Sequence, residues 1–530
     1  MKCSLVTRVV ILLAALLSNT ALAQKLEGRN AADLKRDFSN AITSGTIVSS
    51  LRAKIVKRQV VFDVELVPND NKSEWMALLN LTAQQFQQAK NQYSQVGYVV
   101  GPNTSVSANG EQYYSAIWIK AGNTKPTLVL PSEPIPVTGN VVPSMRKVDA
   151  AIQKFLLEHN VAGATIAVAR NGKLSYERGF GWSNIRTKQR VQPGTPMRIS
   201  GTSKLITAVA TLQLVQDGTL PIDEPILPLL VEAGARGAKT PKDRRWHSLT
   251  PRHLLQHTAG WNAAVTPDPM FQTATVSQEL LLKKPAKARD IIRYQLGQRL
   301  NFSPGKQYAH SEFGYALLGR LIEIKAKRLY HHHVRERVLK PAGMSDTKIG
   351  KTRLKDRYRG ETNYYMQRLK TGAAFWSASV SRIKAGSRTI ATPDIVAAPD
   401  GAFDVETMAA CSGWTSTASD LCRLMLAIDR EREPLLNKKT RLLMKERSEL
   451  MKKAPQWYGC GIWVSPNQSE GPERIWHGGL MAGSSAIVVQ RTDGIVWSAV
   501  FNTDVDPSGQ PIAKLVETTM DESLNKVEWD

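Results

Sequence analysis

Three short stretches of the chain carry side chains able to act on a bound molecule. Ser200-Gly201-Thr202-Ser203-Lys204 sets two serine hydroxyls near an amine. An amine beside a hydroxyl can help remove its proton and make it a nucleophile. His310-Ser311-Glu312 offers an imidazole and a carboxylate, and His477-Gly478-Gly479 offers a second imidazole. Two imidazoles and a carboxylate also form a set that zinc accepts. A single carboxylate cannot easily serve both a metal and Lys204, so no metal or other cofactor is expected. His257, within LLQHTAG, reads as a hydrogen-bonded structural histidine, and His331-His332-His333 as a solvated helix face.

These residues need a frame to bring them together. Lys204 opens the helical stretch LITAVATLQLVQDG, and Glu312 stands just before GYALLGRLIEIKA. At about 100° per residue, Ser200 lies within about 40° of Lys204 on a helical wheel and Ser203 about 100° away. Ser200 is nevertheless about 1.5 Å out of step along the axis. Helix capping or surface placement is the alternative for both serines. From about residue 143, Val148, Ile152, Leu156 and Leu157 follow helical spacing, and then AGATIAVAR, Asn171-Gly172 and KLSYERGFGW predict a hairpin. A second hairpin closes the chain, with SSAIVVQ and IVWSAVFN around Asp493-Gly494. Strands at both ends with helices between predict an α+β domain whose antiparallel sheet is built from both chain ends.

Residues 24–122 contain a duplication at a constant offset, in which Asn30 matches Thr82, Leu34 Phe86, Gly45 Gly97, Phe62 Tyr114 and Leu66 Trp118. Thr82 with Gln85 forms a capping box, and each glycine marks a helix stop. Val60, Phe62, Val64 and Leu66 alternate with Asp63 and Glu65 as a half-buried strand does. Each copy therefore reads as a helix followed by a small hairpin, the two covering each other's apolar faces. Residues 123–142 hold Pro126, Pro131, Pro134 and Pro136 and read as a stiff extended linker.

With 42% hydrophobic residues among 530, the chain can build a large core and is not disordered. Residues 1–23 predict a secretory signal: Lys2 and Arg8 precede the apolar run Val9 to Leu17, and Ala21-Leu22-Ala23 fits a cleavage site. No transmembrane segment is expected after cleavage, and the mature protein is expected outside the cytoplasm, secreted or periplasmic. Three cysteines then remain, Cys411, Cys422 and Cys460, too few for a disulfide framework. The formal charge of +24 lies mostly after residue 140, in runs that alternate with acids and apolar residues. That pattern lacks the aromatic interleaving of RNA-binding surfaces, so nucleic acid is not an expected partner. An exported basic surface suits anionic wall or surface polymers.

The blocks RISGTSKLITAVATLQLVQDGTL, LTPRHLLQHTAGW, PGKQYAHSEFGYALLG, VLKPAGMSDT, GWTSTASDL and WHGGLMAGSS resemble, in order and spacing, the serine β-lactamase and penicillin-binding-protein family, nearest its class C-like hydrolases. The resemblance covers residues 145–525 and implies a β-lactamase/transpeptidase-like fold for 143–528. The second N-terminal copy, LTAQQFQQAKNQYSQVGY, is similar to repeats that precede such domains in some secreted hydrolases, including polyglycine hydrolases.

The family uses Ser-x-x-Lys at a helix start, Tyr-x-Asn on a loop and Lys/His-x-Gly on an edge strand. By that resemblance Lys204 is the family lysine, His310 and Glu312 occupy the Tyr-x-Asn positions, and His477-Gly478-Gly479 is the third element. Gly201 stands where the nucleophilic serine belongs, and glycine has no atom to attack with. The resemblance also places Glu312 against Lys204, which implies an ion pair that keeps the lysine protonated. Residual chemistry is therefore assigned to Lys204, His310 and a displaced Ser200, and ligand binding to Gly201, Glu312, His477 and Gly479. The leading expectation is a pseudoenzyme that binds a small peptide, a peptidoglycan fragment or an anionic surface polymer. An active esterase, peptidase or β-lactam hydrolase using Ser200 is the alternative, with a metal-assisted hydrolase third.

Overall fold

The computed structural model describes residues 24–529 apart from 57–58, 70–72, 74, 95–97, 109–110, 121–127, 236, 238, 368–370, 374, 376–394 and 468–471. The expected signal at 1–23, the start of the expected linker at 123–127 and the stop at Gly97 lie outside the described residues. The chain forms two compact units that divide between Lys125 and Pro126.

The first unit contains both copies of the duplication. Copy one runs β1 (Gln24–Asn30), α1 (Ala31–Thr43), β2 (Thr46–Val56) and β3 (Gln59–Pro68); copy two runs β4 (Trp75–Thr82), α2 (Ala83–Ser94), β5 (Tyr98–Ala108) and β6 (Glu111–Lys120). Each copy is thus strand, helix and hairpin, one strand more than the sequence pattern suggests. β1 is an edge strand that buries only Leu26, so it shows no alternation to detect. The sheets order as β1-β3-β2 and β4-β6-β5. Asn30 caps α1 by accepting from the Ala32 and Asp33 amides at 2.9 Å. Thr82 and Gln85 exchange reciprocal capping bonds at 3.0 and 3.3 Å before α2. Gly45 follows α1 at φ +71°, a conformation that costs glycine little. The copies share a core: Trp75 and Ile117 join Leu34, Phe38 and Phe62 of copy one. The Trp75 indole donates to Thr46 O at 3.0 Å and meets Phe38 edge-on at 5.5 Å.

The second unit begins before the domain start read from sequence. Leu128 and Ile135 are buried, and β7 (Val137–Thr138) pairs with β9 (Lys173–Asn184), so 128–142 is not the extended linker expected there. Proline leaves an edge position open to strand pairing because only its own amide is missing. Around β7 stand α3 (Arg146–Glu158), β8 (Gly163–Arg170) and β10 (Gln189–Arg190); α4 (Ser203–Gln216), α5 (Glu312–Ala326) and α6 (Ala418–Asp429) follow. The chain ends with β11 (Trp457–Tyr458), β12 (Trp463–Ser465), β13 (Arg474–Met481), β14 (Ser484–Gln490), β15 (Val496–Phe501) and α7 (Ile512–Leu524). The main sheet orders as β10-β9-β8-β15-β14-β13-β12-β11, with β8 of the opening hairpin antiparallel to β15 of the closing one.

Alternation along these central strands separates two cores. Ile166, Val168, Ile487 and Trp497 pack with α3 and α7 on one face. Ala167, Val488 and Val500 pack with α4, α5 and α6 on the other. α4 is buried on every side, so its polar residues must find partners inside the protein. Cys411, Cys422 and Cys460 are buried free thiols. His331 and His332 are exposed, but His333 is buried, so the triplet is not wholly a solvated face. Among the described residues no helix is long and apolar enough to cross a membrane.

Replacing Trp75 by alanine removes both a core anchor and the bond to Thr46, at an expected cost of about 3–5 kcal/mol to the first unit. Hydrogen exchange should then accelerate in β2 and β3 while the second unit's amides keep their protection.

Candidate active-site cleft

The cleft forms where the start of α4, the start of α5 and strand β13 converge. Ser200–Thr202 is a short 3-10 turn, and α4 continues from Ser203. Lys204 is fully buried, and its Nζ donates to Glu312 Oε1 at 2.6 Å and to Cys411 O at 3.3 Å. The ion pair implied by the resemblance is therefore present. Glu312 opens α5, where the helix dipole favours a negative group. Its other oxygen, Oε2, accepts from Ser412 Oγ at 2.6 Å. Burial alone would raise the Glu312 pKa, but the Lys204 and His310 charges and the Lys204 and Ser412 hydrogen bonds outweigh it and hold the carboxyl below its ordinary value.

The start of α5 is anchored twice. Ser311 caps it by accepting from the Gly314 amide at 3.2 Å. Asp268 Oδ2 accepts from the Glu312 amide at 2.8 Å, the Phe313 amide at 3.2 Å and Ser311 Oγ at 3.2 Å. Burial and the nearby Glu312 raise the Asp268 pKa. Asp268, Ser412 and Cys411 O were not singled out from sequence. Asp268 precedes Pro269 at a turn, and Ser412 lies one residue before the block GWTSTASDL, but neither position carries a signal that names its partner.

Gly201 is close to where a nucleophile would be useful. A Cβ built on it would lie 3.5 Å from Lys204 Nζ, 3.3 Å from Gly478 O and 3.4 Å from Gly479 Cα. The position is tight but open to a small side chain. Gly479 differs: a Cβ there would meet Ile199 O at 2.4 Å and the Gly201 and Thr202 amide nitrogens at 2.6 and 2.7 Å. Only glycine lets β13 approach the 3-10 turn so closely.

The Ser200 hydroxyl bonds to Ser484, while the Lys204 ammonium bonds to Glu312 and Cys411 O. Ser200 is fully buried, its φ of +49° lies in the left-handed region, and its Oγ sits 2.9 Å from Ser484 Oγ. Ser203 is also buried and accepts from the Trp414 amide at 3.2 Å. Neither serine caps α4 or reaches the surface, so both sequence alternatives for them fail.

His310 stands at the cleft mouth with 56% of its side chain exposed, its Nε2 3.5 Å from Glu312 Oε1. Burial of its surroundings and the Lys204 charge push its pKa down, a push that solvent screens at this exposure. His257 is buried, accepts from the Ser311 amide at 3.2 Å through Nδ1, and packs against His310, Tyr315 and Tyr458 at 4.6, 5.0 and 4.8 Å. His477 is buried on β13, with Nδ1 2.9 Å from Gly478 O and Nε2 2.9 Å from the Tyr458 hydroxyl. Assigning the proton to Nδ1 leaves Nε2 to accept from Tyr458. Burial and Lys204 push the His477 pKa down to about 3, so the ring is neutral at pH 7. Because His477 directs both nitrogens to protein atoms, it does not join His310 and Glu312 around a common point. Among the described residues no group of three or more His, Cys, Asp or Glu is placed to hold a metal.

A sheet from both chain ends, helices on both its faces, and a lysine in the first turn of a buried helix facing a loop and strand β13 define a serine-hydrolase-type frame. The β-lactamase family model matches residues 148–518, and the chain belongs to that family. Residues 72–121 match the polyglycine hydrolase-like structural repeat. Protein flp of Staphylococcus aureus is 26% identical over 215 residues, 41% of this chain and 40% of that protein. Esterase EstB of Burkholderia gladioli is 28% identical over 205 residues, 38% of this chain and 50% of the esterase. The chain thus aligns with half or less of the length of these relatives. Among solved structures, D-amino acid amidase from Ochrobactrum anthropi superposes with a TM-score of 0.53 at 21% identity, covering 72% of this chain and 98% of the amidase. The penicillin-binding protein homologue of Pyrococcus abyssi superposes with a TM-score of 0.51 at 19% identity, covering 70% and 76%. These two likenesses establish the fold alone.

Glu312→Gln should strand a buried ammonium and lower stability by about 3–5 kcal/mol in denaturant titration. The buried histidines set a pH dependence of known sign. His477 folds neutral, whereas the unfolded chain binds a proton at His477 below about 6.5, so stability falls as pH drops from about 6.5 toward 3. His257, lowered by burial, acts in the same direction. His477→Gln, which keeps an acceptor for Tyr458, should flatten part of that decline in a series of melts from pH 7 to 4.

Proposed function

We propose that the protein is an exported β-lactamase-fold binding protein that has lost serine acyl transfer and holds a ligand in the retained cleft. The carrying observation is the pair of changes at one point. Gly201 supplies no attacking oxygen, and the lysine that would activate one is engaged by the Glu312 carboxylate at 2.6 Å. Ser200, the substitute nucleophile, is committed to Ser484 and shut away from solvent.

The ligand class follows from what the cleft presents. Its buried charges cancel in the Lys204–Glu312 pair, and His310 at its mouth offers an exposed imidazole. That surface suits a small peptide or peptidoglycan fragment, and the basic exterior suits an anionic surface polymer alongside it. Export rests on the segment at 1–23.

Incubation with a labelled penicillin or a fluorophosphonate, read by intact-mass spectrometry, should leave the protein unmodified. An adduct mapped to Ser200 or any other hydroxyl of the cleft sinks the proposal. Gly201→Ser combined with His310→Tyr and Glu312→Asn should create covalent labelling, because a Cβ at 201 would lie 3.5 Å from Lys204 Nζ and the lysine is released from its carboxylate.

A further inference from the structure

A cavity of about 900 Å³ opens in the second unit, and none of its lining residues belongs to the cleft. That volume lies within the range of small-molecule sites. Leu339, Ile349 and Trp414 supply apolar lining, and Trp414 is almost wholly buried with its Nε1 directed to the Tyr330 hydroxyl at 3.2 Å. Tyr358 adds a ring whose hydroxyl already donates to Ile349 O at 2.8 Å. The interior therefore offers carbon surface more than free polar groups.

The rim has the opposite character. Arg335, Lys340, Lys348 and Lys351 line the cavity against one acid, Glu406. Lys340 pairs with Glu336 at 2.8 Å and Lys351 with Glu406 at 3.7 Å. Arg335 and Lys348 are exposed and form no ion pair with a described carboxylate, and Lys348 Nζ lies 5.4 Å from the Tyr358 ring centre. Arg335 and Leu339 begin and end a π-helical turn, a wide turn that recurs at functional sites. It sets one rim cation and one apolar wall residue on the same side of the opening.

We propose that this cavity is a second ligand site, separate from the cleft, for a small anionic amphiphile. An acyl or ring body lies against Leu339, Ile349 and Trp414, and a single carboxylate, sulfate or phosphate group is held by Arg335 and Lys348. A bare anion would leave the apolar lining wet, and a neutral apolar molecule would leave two cations uncompensated, so both parts of the ligand are needed.

Calorimetric titration of the full chain with decanoate, kept below its micelle concentration, tests this directly. Decanol supplies the body without the charge; acetate and inorganic phosphate supply charge without the body. Saturable one-to-one binding of decanoate alone is expected, weakened about tenfold or more by Arg335→Glu with Lys348→Glu. Both changes fall on exposed side chains, and circular dichroism verifies the fold. Ala409→Trp, which fills the cavity, should abolish binding. Equal binding of decanol, equal binding of phosphate, decanoate binding that survives charge reversal, or no saturable binding each overturns the assignment.

Discussion

The buried contact between Lys204 and Glu312 governs how the cleft is built. Removing an ammonium and a carboxylate from water costs several kcal/mol for each ion, and only close geometry with further hydrogen bonds makes the arrangement tolerable. The protein meets that demand from four separate parts of the chain. α4 carries the lysine, the α5 N-terminus carries the carboxylate, and the segment at 411–412 gives a carbonyl and a hydroxyl. Asp268 holds the α5 amides in place from a fourth. The lysine is thereby fixed in place, fully buried and bonded to both a carboxylate and a carbonyl.

Much of the frame was legible because it rests on local signals. The two Asn-Gly and Asp-Gly hairpins mark the sheet's two contributions, and the capping box at Thr82 and Gln85 marks a helix start whatever surrounds it. What failed depends on distant partners. β1 has one buried residue and becomes a strand only by pairing with β3. Residues 128–142 look like a tether by composition, yet Ile135 and β7 acquire their place from α3 and β9.

The cleft divides in the same way. Lys204 and Glu312 were legible because the resemblance of their blocks to the family's motifs names both positions. Ser412, Asp268 and Tyr458 were not, since each reaches the site from a turn or short strand whose path only the folded chain reveals. Ser200 shows the limit of a helical wheel: its neighbourhood to Lys204 assumes an α-helix at 200, where the chain makes a 3-10 turn with a left-handed residue.

The approach of Gly479 onto the Gly201–Thr202 backbone works as a fixed jaw. With carbonyl and amide atoms less than 3 Å from any added carbon, β13 and the helix entrance cannot spread or close by side-chain exchange there. The gape of the cleft is set by main chain alone. Changes in what enters it fall instead to the lips, where His310 and Leu480 face solvent.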